Sequence, residues 1–283
     1  MEIVIPKSLW PRQFGDWTSA WDAVAESEAL RVVLPAGAFV APCIVAPLAA
    51  VIASRASRSL TTSFRIEDAT SDAFRYLQRS DFFRALDVAV DEPFERHEAP
   101  SLVALRRILD TRVARELATD LGDFLEGQLG EKSTSVLRFA RFVFEELGAN
   151  IVQHSRATAT GFGLAQAYPT RSRFQFAFAD AGVGFLASLQ ENPELGGRLH
   201  EDGEALQIAL EPRVSKQGPG NIGSGLSLLR DFTDRLEGDL LIASGEALLH
   251  RRTIGSGARA NSVSRIAPWK GAWLCVDAPL PDA

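Results

Sequence analysis

The sequence predicts an α/β protein, and three observations lead to that prediction. In the first hundred residues, short β-branched segments alternate with segments that are apolar at helical spacing, as in a small layered domain. Between residues 102 and 154, apolar side chains recur every three or four positions, which indicates amphipathic helices. From residue 159 onwards, short apolar segments, one of them alternating with period two, indicate strands.

In the first part of the chain we predict a strand over residues 30–35, which are short, apolar and β-branched, and a second strand over residues 60–66. Residues 42–53 are apolar at helical spacing and predict a helix between these strands. A second helix is predicted to begin after Ser71, whose hydroxyl can cap it, and to run through Phe82.

Two segments predict how the chain divides. Residues 91–100 are polar, acidic and bounded by prolines, which indicates a linker. Residues 102–129 are apolar at helical spacing and predict an amphipathic helix or helix pair, which could bridge the two halves, form a dimer seam or simply pack against the second half. We therefore expect a first domain over residues 1–92, a linker and helix over residues 93–132, and a second domain over residues 133–283.

Composition excludes several classes of protein. A hydrophobic content of 46% and a charged content of 23% are typical of a soluble globular chain. The net charge of −6 argues against a broad nucleic-acid-binding surface. Cys43 and Cys275 form no CxxC pair, so a thiolate-rich zinc site is excluded and a reducing compartment is favoured. Without a secretory signal or a long apolar span, we expect a cytoplasmic protein.

The first of three functional motifs is ELGANIVQHS, over residues 146–155. Its helix is predicted to be capped by Ser133 or Ser135. Glu146 and Asn150 are four residues apart, so their side chains lie on one face of that helix. Oxygen ligands such as these suit Mg²⁺. Taken alone, the motif is better explained as a solvated helix face with ordinary polar residues.

The second motif is a lone acid in a glycine turn. Asp180, Gly182 and Gly184 follow two predicted strands, over residues 159–168 and 173–178. The glycines allow a backbone turn with positive φ and close approach of a ligand. A carboxylate buried at such a turn needs hydrogen-bond donors. Taken alone, this motif could also be an ordinary turn.

The third motif is a glycine-rich loop that opens a helix-like segment over residues 226–236, and its glycines are Gly218, Gly220, Gly223 and Gly225. Backbone N–H groups at a helix start form an anion site. A Walker A loop is excluded, because no Gly-Lys-Ser/Thr ends this loop. Strands predicted over residues 239–244 and 273–278 follow the helix.

The order of the three motifs resembles the N, G1 and G2 boxes of the GHKL ATP-binding fold, which gyrase, the heat-shock chaperone, histidine kinases and the mismatch-repair ATPases share. The resemblance covers residues 133–283 and implies a Bergerat-type fold, a two-layer α+β sandwich that binds ATP and Mg²⁺. Two departures are Ser227, which replaces the last glycine of the G2 pattern, and Gly271-Ala272, which replaces a common Gly-Thr.

The same resemblance implies roles for individual residues. Glu146 would orient or deprotonate the nucleophile, Asn150 would ligate Mg²⁺, and Asp180 would accept a hydrogen bond from the adenine amine. The other implied nucleotide-binding residues are Gly182, Gly184, Gly220, Gly223, Ser224, Gly225 and Leu226. Residues 185–217 would form a lid over the triphosphate. Arg213 or Lys216 could meet the γ-phosphate from this lid, or remain surface charges.

The first domain resembles the STAS domain of anti-sigma-factor antagonists in a strand, the helix after it and the YLQRSDFF stretch over residues 76–83. It departs from that family at Val40-Ala41-Pro42-Cys43, where the family carries an Asp-Ser pair whose serine accepts phosphate. The resemblance therefore implies a docking or dimerisation module and not a phosphoacceptor. The alternative is a generic α/β domain of unrelated ancestry.

Together these resemblances imply an ATP-binding regulatory protein that switches or modifies a protein partner. Three chemistries stay open: an ATPase switch, an anti-sigma-type serine/threonine kinase in which Glu146 deprotonates a hydroxyl of the partner, and a non-catalytic ATP sensor. A histidine kinase is disfavoured, because no phosphoacceptor histidine lies in a dimerisation helix. We expect a protein partner, with a homodimer also open, and neither a membrane nor a nucleic acid.

Overall fold

The protein contains two β-sheets with helices between and beside them. The computed structural model describes residues 1–6, 27–92, 99–129, 134–154, 161–212, 225–254 and 257–280. Within these ranges there is a three-stranded parallel sheet and a five-stranded antiparallel sheet, so the fold is of mixed α and β type. The helices within the same ranges include none with the length and apolar character needed to cross a membrane.

The first sheet belongs to the N-terminal part of the chain. Its strands are β1 (Glu2–Val4), β2 (Ala29–Leu34) and β3 (Thr61–Ile66), which lie side by side in that order. Helix α1 (Pro42–Ser57) connects β2 to β3, and α2 (Asp72–Arg79) and α3 (Phe82–Ala85) follow. The two predicted strands and the predicted helix between them are confirmed.

The second predicted helix is confirmed at its start and interrupted near its end. The Ser71 hydroxyl accepts a hydrogen bond from the Phe74 backbone N–H at 3.3 Å, as expected of a cap. The chain leaves the helix after Arg79, because Asp81 adopts a φ of 59°. A single short helix, α3, then carries Phe82.

The second sheet and its helices occupy the rest of the chain. In chain order the elements are β4 (Leu102–Ile108), α4 (Thr111–Leu129), α5 (Thr134–His154), β5 (Gly161–Tyr168), β6 (Arg173–Ala179), α6 (Gly184–Gln190), α7 (Asp202–Ala209), α8 (Gly225–Arg235), β7 (Asp239–Ile254) and β8 (Ala258–Pro279). The strand order is β4-β5-β6-β8-β7, with antiparallel neighbours throughout. Strand β6 is therefore central.

The helical prediction for the segment before α4 is wrong, because Leu102–Ile108 is a strand at the edge of the second sheet. Its register with β5 shifts between Val103 and Arg106, and such an irregularity interrupts the alternation of a strand. The buried residues Leu105 and Ile108 consequently lie three positions apart, which is a helical spacing. The helix itself begins only at α4.

The two faces of the central strand carry side chains of different size. Phe174, Phe176 and Phe178 belong to the core beneath α4 and α5, whereas Ala177 and Ala179 belong to the core around α1. The alternation seen in the sequence is therefore one of large and small residues, with both faces buried. A strand buried on both faces needs a covering layer on each side of its sheet.

Glycines let α4 and α5 approach the phenylalanine face closely. A Cβ atom on Gly163 of β5 would lie 2.7 Å from Leu117 Cδ2 of α4, and one on Gly161 would lie 2.7 Å from Ile151 Cγ2 of α5. The two helices also meet each other closely at Gly148, where a Cβ atom would lie 2.8 Å from the Cβ atom of Ala114. Any larger side chain at these positions would push the helices away from the sheet.

Helix α1 covers the opposite face and lies between the two sheets. Its residues from Pro42 to Ala50 are all buried, in one core with Val32 of the first sheet and Leu164 of the second. This explains why α1 is apolar on all sides. Cys43 is fully buried in this layer. The domain boundaries predicted at residues 92 and 133 thus separate two parts that share a core.

The helix contact at Gly148 allows a direct test with a matched control. Gly148→Ala should lower the free energy of unfolding by about 1–3 kcal/mol, because the new methyl group overpacks the contact with Ala114. Gly127→Ala, on α4 with open space around it, should instead raise stability by about 0.5–1 kcal/mol through its helix propensity. Urea denaturation measures both. Equal stabilisation by the two variants would contradict this helix packing.

Candidate functional site

The first and third motifs meet where α8 begins. A Cβ atom on Gly225, the first residue of α8, would lie 3.2 Å from Asn150 Nδ2 and 3.5 Å from Glu146 Oε2. Glycine at this position therefore keeps the helix start and the two polar side chains in contact. The next residue, Leu226, is buried in the same core as α5. Four residues that the sequence predicted as a site are thus neighbours.

The second motif begins beside the same helix. Because Gly161 has no side chain, the Ala179 carbonyl and the Ile151 side chain both lie close to it, each within 2.7 Å of where a Cβ atom would be. Ile151 follows Asn150 on α5, and Asp180 follows Ala179 at the end of β6. The strand end that carries the lone acid is therefore adjacent to the helix that carries the amide.

Asp180 is buried, and hydrogen bonds fix both its carboxylate and its backbone. Its Oδ1 accepts a hydrogen bond from the Gly182 N–H at 2.7 Å, and its own N–H donates to the Ala272 carbonyl at 2.8 Å. Burial raises the pKa of Asp180 to about 6, against the opposing effect of the Gly182 and Ala272 N–H groups. At neutral pH the group is ionised, and the lone pairs left over can accept a hydrogen bond from a ligand.

The backbone turn after Asp180 uses its two glycines differently. Gly184 has a φ of 78°, as the sequence predicted for a glycine in this turn, and a Cβ atom there would lie 2.6 Å from Ser244 Oγ. Gly182 contributes its N–H to the carboxylate. The turn is therefore fixed both by backbone conformation and by close packing.

The environment of Glu146 raises the pKa of its carboxyl group. Its side chain is half-buried beside Gly225, whereas Glu145 is exposed. Burial, followed by repulsion from Glu145, raises the pKa of Glu146. A carboxylate with a raised pKa is a stronger base than an ordinary surface glutamate. The structure places Glu146, four residues before Asn150, on the side of α5 that meets Gly225.

Two residues behind the turn were missed by the sequence analysis. Ser244, at the end of the strand predicted in β7, donates its hydroxyl hydrogen bond to the Gly271 carbonyl at 2.8 Å. The same oxygen accepts one from the Phe185 N–H at 3.0 Å. The one sequence signal for Gly271 is the Gly271-Ala272 pair that replaces a common Gly-Thr, and there is none for Ser244, which lies in no motif. Neither contact follows from spacing along the chain.

The long hairpin of β7 and β8 was also missed, since only its proximal ends were predicted as strands. His250 Nε2 lies 3.2 Å from Asp239 Oδ1, although eleven residues of straight strand would span about 36 Å. The ladder is irregular on both sides of Gly245, which has a φ of 56°. The hairpin therefore bends there and folds back towards the start of β7.

The folded-back hairpin holds the C-terminal end of α8. Arg251 and Arg259 both donate to the carboxylate of Asp234, at 2.6–2.8 Å, and Arg259 also donates to the Gly238 carbonyl at 2.5 Å. Burial raises the pKa of Asp234, but hydrogen bonds and charge from the two arginines outweigh it and leave that pKa below its usual value. The helix that begins beside Glu146 is thereby fixed at its other end.

The segment predicted as a lid is partly described. Its helices α6 and α7 pack against the second sheet, and the Asp202 carboxylate at the start of α7 accepts a hydrogen bond from the Glu246 N–H at 2.9 Å. The remaining residues of the third motif and lid, Arg213, Lys216, Gly220, Gly223 and Ser224, lie outside the described residues. Their predicted roles stay predictions.

The buried charge of Asp180 predicts a stabilising substitution. Its pKa of about 6 lies above the ordinary value of 3.8, so the folded state binds the proton more tightly than the unfolded chain. Ionisation therefore destabilises the fold progressively as the pH rises from about 4 to 6, and Asp180→Asn should raise the free energy of unfolding at pH 8 by about 3 kcal/mol. Denaturation across about pH 4–8 should show this difference shrinking as the pH falls below about 6. A variant less stable than the parent at pH 8 would contradict the pKa shift.

The chain was also compared with known proteins. No protein-family model matches it, and no curated protein matches it.

Proposed function

We propose that this chain binds Mg-ATP in a GHKL-type site and uses it to switch or modify a partner protein, by ATP hydrolysis or by serine/threonine phosphotransfer. The observation that carries the proposal is the contact of Gly225 with Glu146 and Asn150. Gly225 lies 75 positions after Asn150 and 79 after Glu146 in the chain, yet the three residues meet in space. They combine a carboxylate, an amide and a helix that begins at a glycine, as the order of the motifs implies. A helix that begins in a glycine-rich segment can bind a phosphate group through its free N–H groups.

The architecture of the second sheet supports the same proposal. Five antiparallel strands with α4, α5 and α8 packed on one face are compatible with the two-layer sandwich of a Bergerat-type fold. The chain differs in having α1 on the other face, between this sheet and the parallel one. We propose that the N-terminal part is a regulatory module, whose partner binds away from the buried surface of α1.

Asp180 would select the base. An ionised carboxylate only accepts hydrogen bonds, so it favours a base with an exocyclic amine over one with a carbonyl at that position. The Gly182 N–H, which donates to Oδ1, holds the carboxylate in place before a ligand arrives. Pre-organisation of this kind reduces the ordering needed on binding.

The residues beside Gly225 fit a hydrated magnesium ion bound to phosphate. Because Gly225 has no side chain, the start of α8 lies close to the amide of Asn150 and the carboxylate of Glu146, whose oxygens are ligands that suit Mg²⁺. Asn150 would supply its amide oxygen, and Mg²⁺, when bound, neutralises phosphate charge. Glu146 would accept the proton of the attacking hydroxyl, from water or from a serine or threonine of the partner, as the oxygen bonds to the γ-phosphorus and ADP leaves.

The proposal is tested by incubating the protein with γ-labelled ATP and Mg²⁺, alone and with cell lysate. Label transferred to a discrete protein indicates a kinase, and free phosphate alone indicates an ATPase. Glu146→Gln should reduce either activity by at least about 100-fold, because the general base is lost. Asn150→Ala should reduce it as well, with weaker dependence on Mg²⁺.

Glu145→Gln is the matched comparison, since it removes the neighbouring exposed carboxylate, whose repulsion is the smaller cause of the raised pKa of Glu146, and it should reduce turnover far less than Glu146→Gln. ATP binding without turnover would indicate a sensor, which acts only if ATP binds its two states differently. No ATP binding by the parent protein would exclude the proposed function.

Base recognition by Asp180 should depend on pH. Protonation removes the charge that strengthens the hydrogen bond, so affinity for ATP should fall as the pH drops below about 6. Asp180→Asn should bind about 10–100-fold more weakly at pH 8. Calorimetry measures the affinity of both proteins for ATP across this pH range. The variant serves as the control, because any pH dependence that it keeps comes from the phosphates and not from Asp180. The same pH profile in both proteins would show that Asp180 does not contact the base.

A further inference from the structure

The hydroxyl of Ser244 closes the turn of the second motif from behind. It is 1% exposed and makes one hydrogen bond to each of two segments, donating to the Gly271 carbonyl and accepting from the Phe185 N–H. Phe185 lies directly after the turn, so the serine fixes the point at which the turn enters α6. The serine therefore links three segments that are separate in sequence.

Gly271 links the hydroxyl of Ser244 to Asp180, because it accepts a hydrogen bond from the first and packs against the backbone of the second. It has a φ of 92°, and a Cβ atom there would collide with the Asp180 carbonyl oxygen and lie 2.5 Å from the Gly182 N atom. That Gly182 N–H is the one that donates to Asp180 Oδ1. A shift of Gly271 would thus move both the acid and its backbone donor. The position of Gly271 is in turn fixed by the hydroxyl of Ser244.

We infer that Ser244 is a positioning residue that sets the base selectivity of Asp180, an inference that rests on the proposed ATP site. Ser244 lies behind the turn and acts through Gly271 and Phe185, without contact to the base. A hydrogen bond weakens steeply as its angle departs from linearity, so a small displacement of the carboxylate removes discrimination between bases. The phosphate-binding contacts at Gly225 are unaffected by such a displacement, because they belong to α5 and α8.

The experiment compares ATP with purine riboside triphosphate, which lacks the exocyclic amine, by calorimetry with Mg²⁺ at pH 8. The parent protein should prefer ATP by at least about tenfold, since the amine donates to a charged acceptor. Ser244→Ala should reduce this preference to about threefold or less, with binding of the analogue changed by less than about twofold. Ser264→Ala, which removes an exposed hydroxyl from β8, should keep the parent preference.

Hydrogen exchange at the Gly182 amide provides a readout that needs no nucleotide. Exchange should be faster in Ser244→Ala than in the parent or in Ser264→Ala, because the turn is no longer held. If Ser244→Ala does not fold, Ser244→Cys keeps the volume with a poor donor and acceptor, and should show the same two effects.

The outcomes separate this inference from the proposed function. A parent that prefers ATP, with the full preference retained in the Ser244 variants, would overturn the positioning role alone. An equal loss of affinity for both nucleotides would overturn it as well, since that is the result of general destabilisation. A parent that binds neither nucleotide would exclude the ATP site, while faster Gly182 exchange would still show that Ser244 holds the turn.

Discussion

The rest of the structure depends on the burial of strand β6 on both faces. Phenylalanines on one face and alanines on the other make the sheet unstable in water unless both sides are covered. Helices α4 and α5 cover the side with the large residues, where glycines of β5 make room for them. Helix α1 covers the side with the small residues, and because it is apolar all round it also needs the parallel sheet on its far side.

The candidate site lies where this packing ends. Asp180 is the first residue after β6, and Asn150 lies one residue before the contact of Ile151 with β5. The side chains of the site are therefore positioned by elements that the core holds rigidly, which is the arrangement that selective binding requires. The buried charge of Asp180 opposes folding, a sacrifice of stability that is common at functional sites.

The sequence predicted local elements well where periodicity and burial agreed, as in β6 and α1. It failed at β4, because a shift of register gave a strand the spacing of a helix. The predicted strand also ended at residue 244, just before the bend of β7 at Gly245. Beyond that bend the hairpin folds over a bulge, so polar and apolar residues no longer alternate regularly along the sequence. The ion pairs of Arg251 and Arg259 with Asp234 could not be predicted for the same reason, because they form only when the hairpin bends back towards α8.

The sequence by itself determined which residues are candidates for the site, because the order of its three short motifs resembles that of a known ATP-binding fold. Spacing alone placed Glu146 and Asn150 on one helix face and Asp180 in a glycine turn. Only the tertiary structure decided that Gly225 touches the first two, and that Ser244 and Gly271 hold the third. The physical reason is that hydrogen bonds and close packing act between atoms near in space, and such contacts are set by how the sheet and helices pack together.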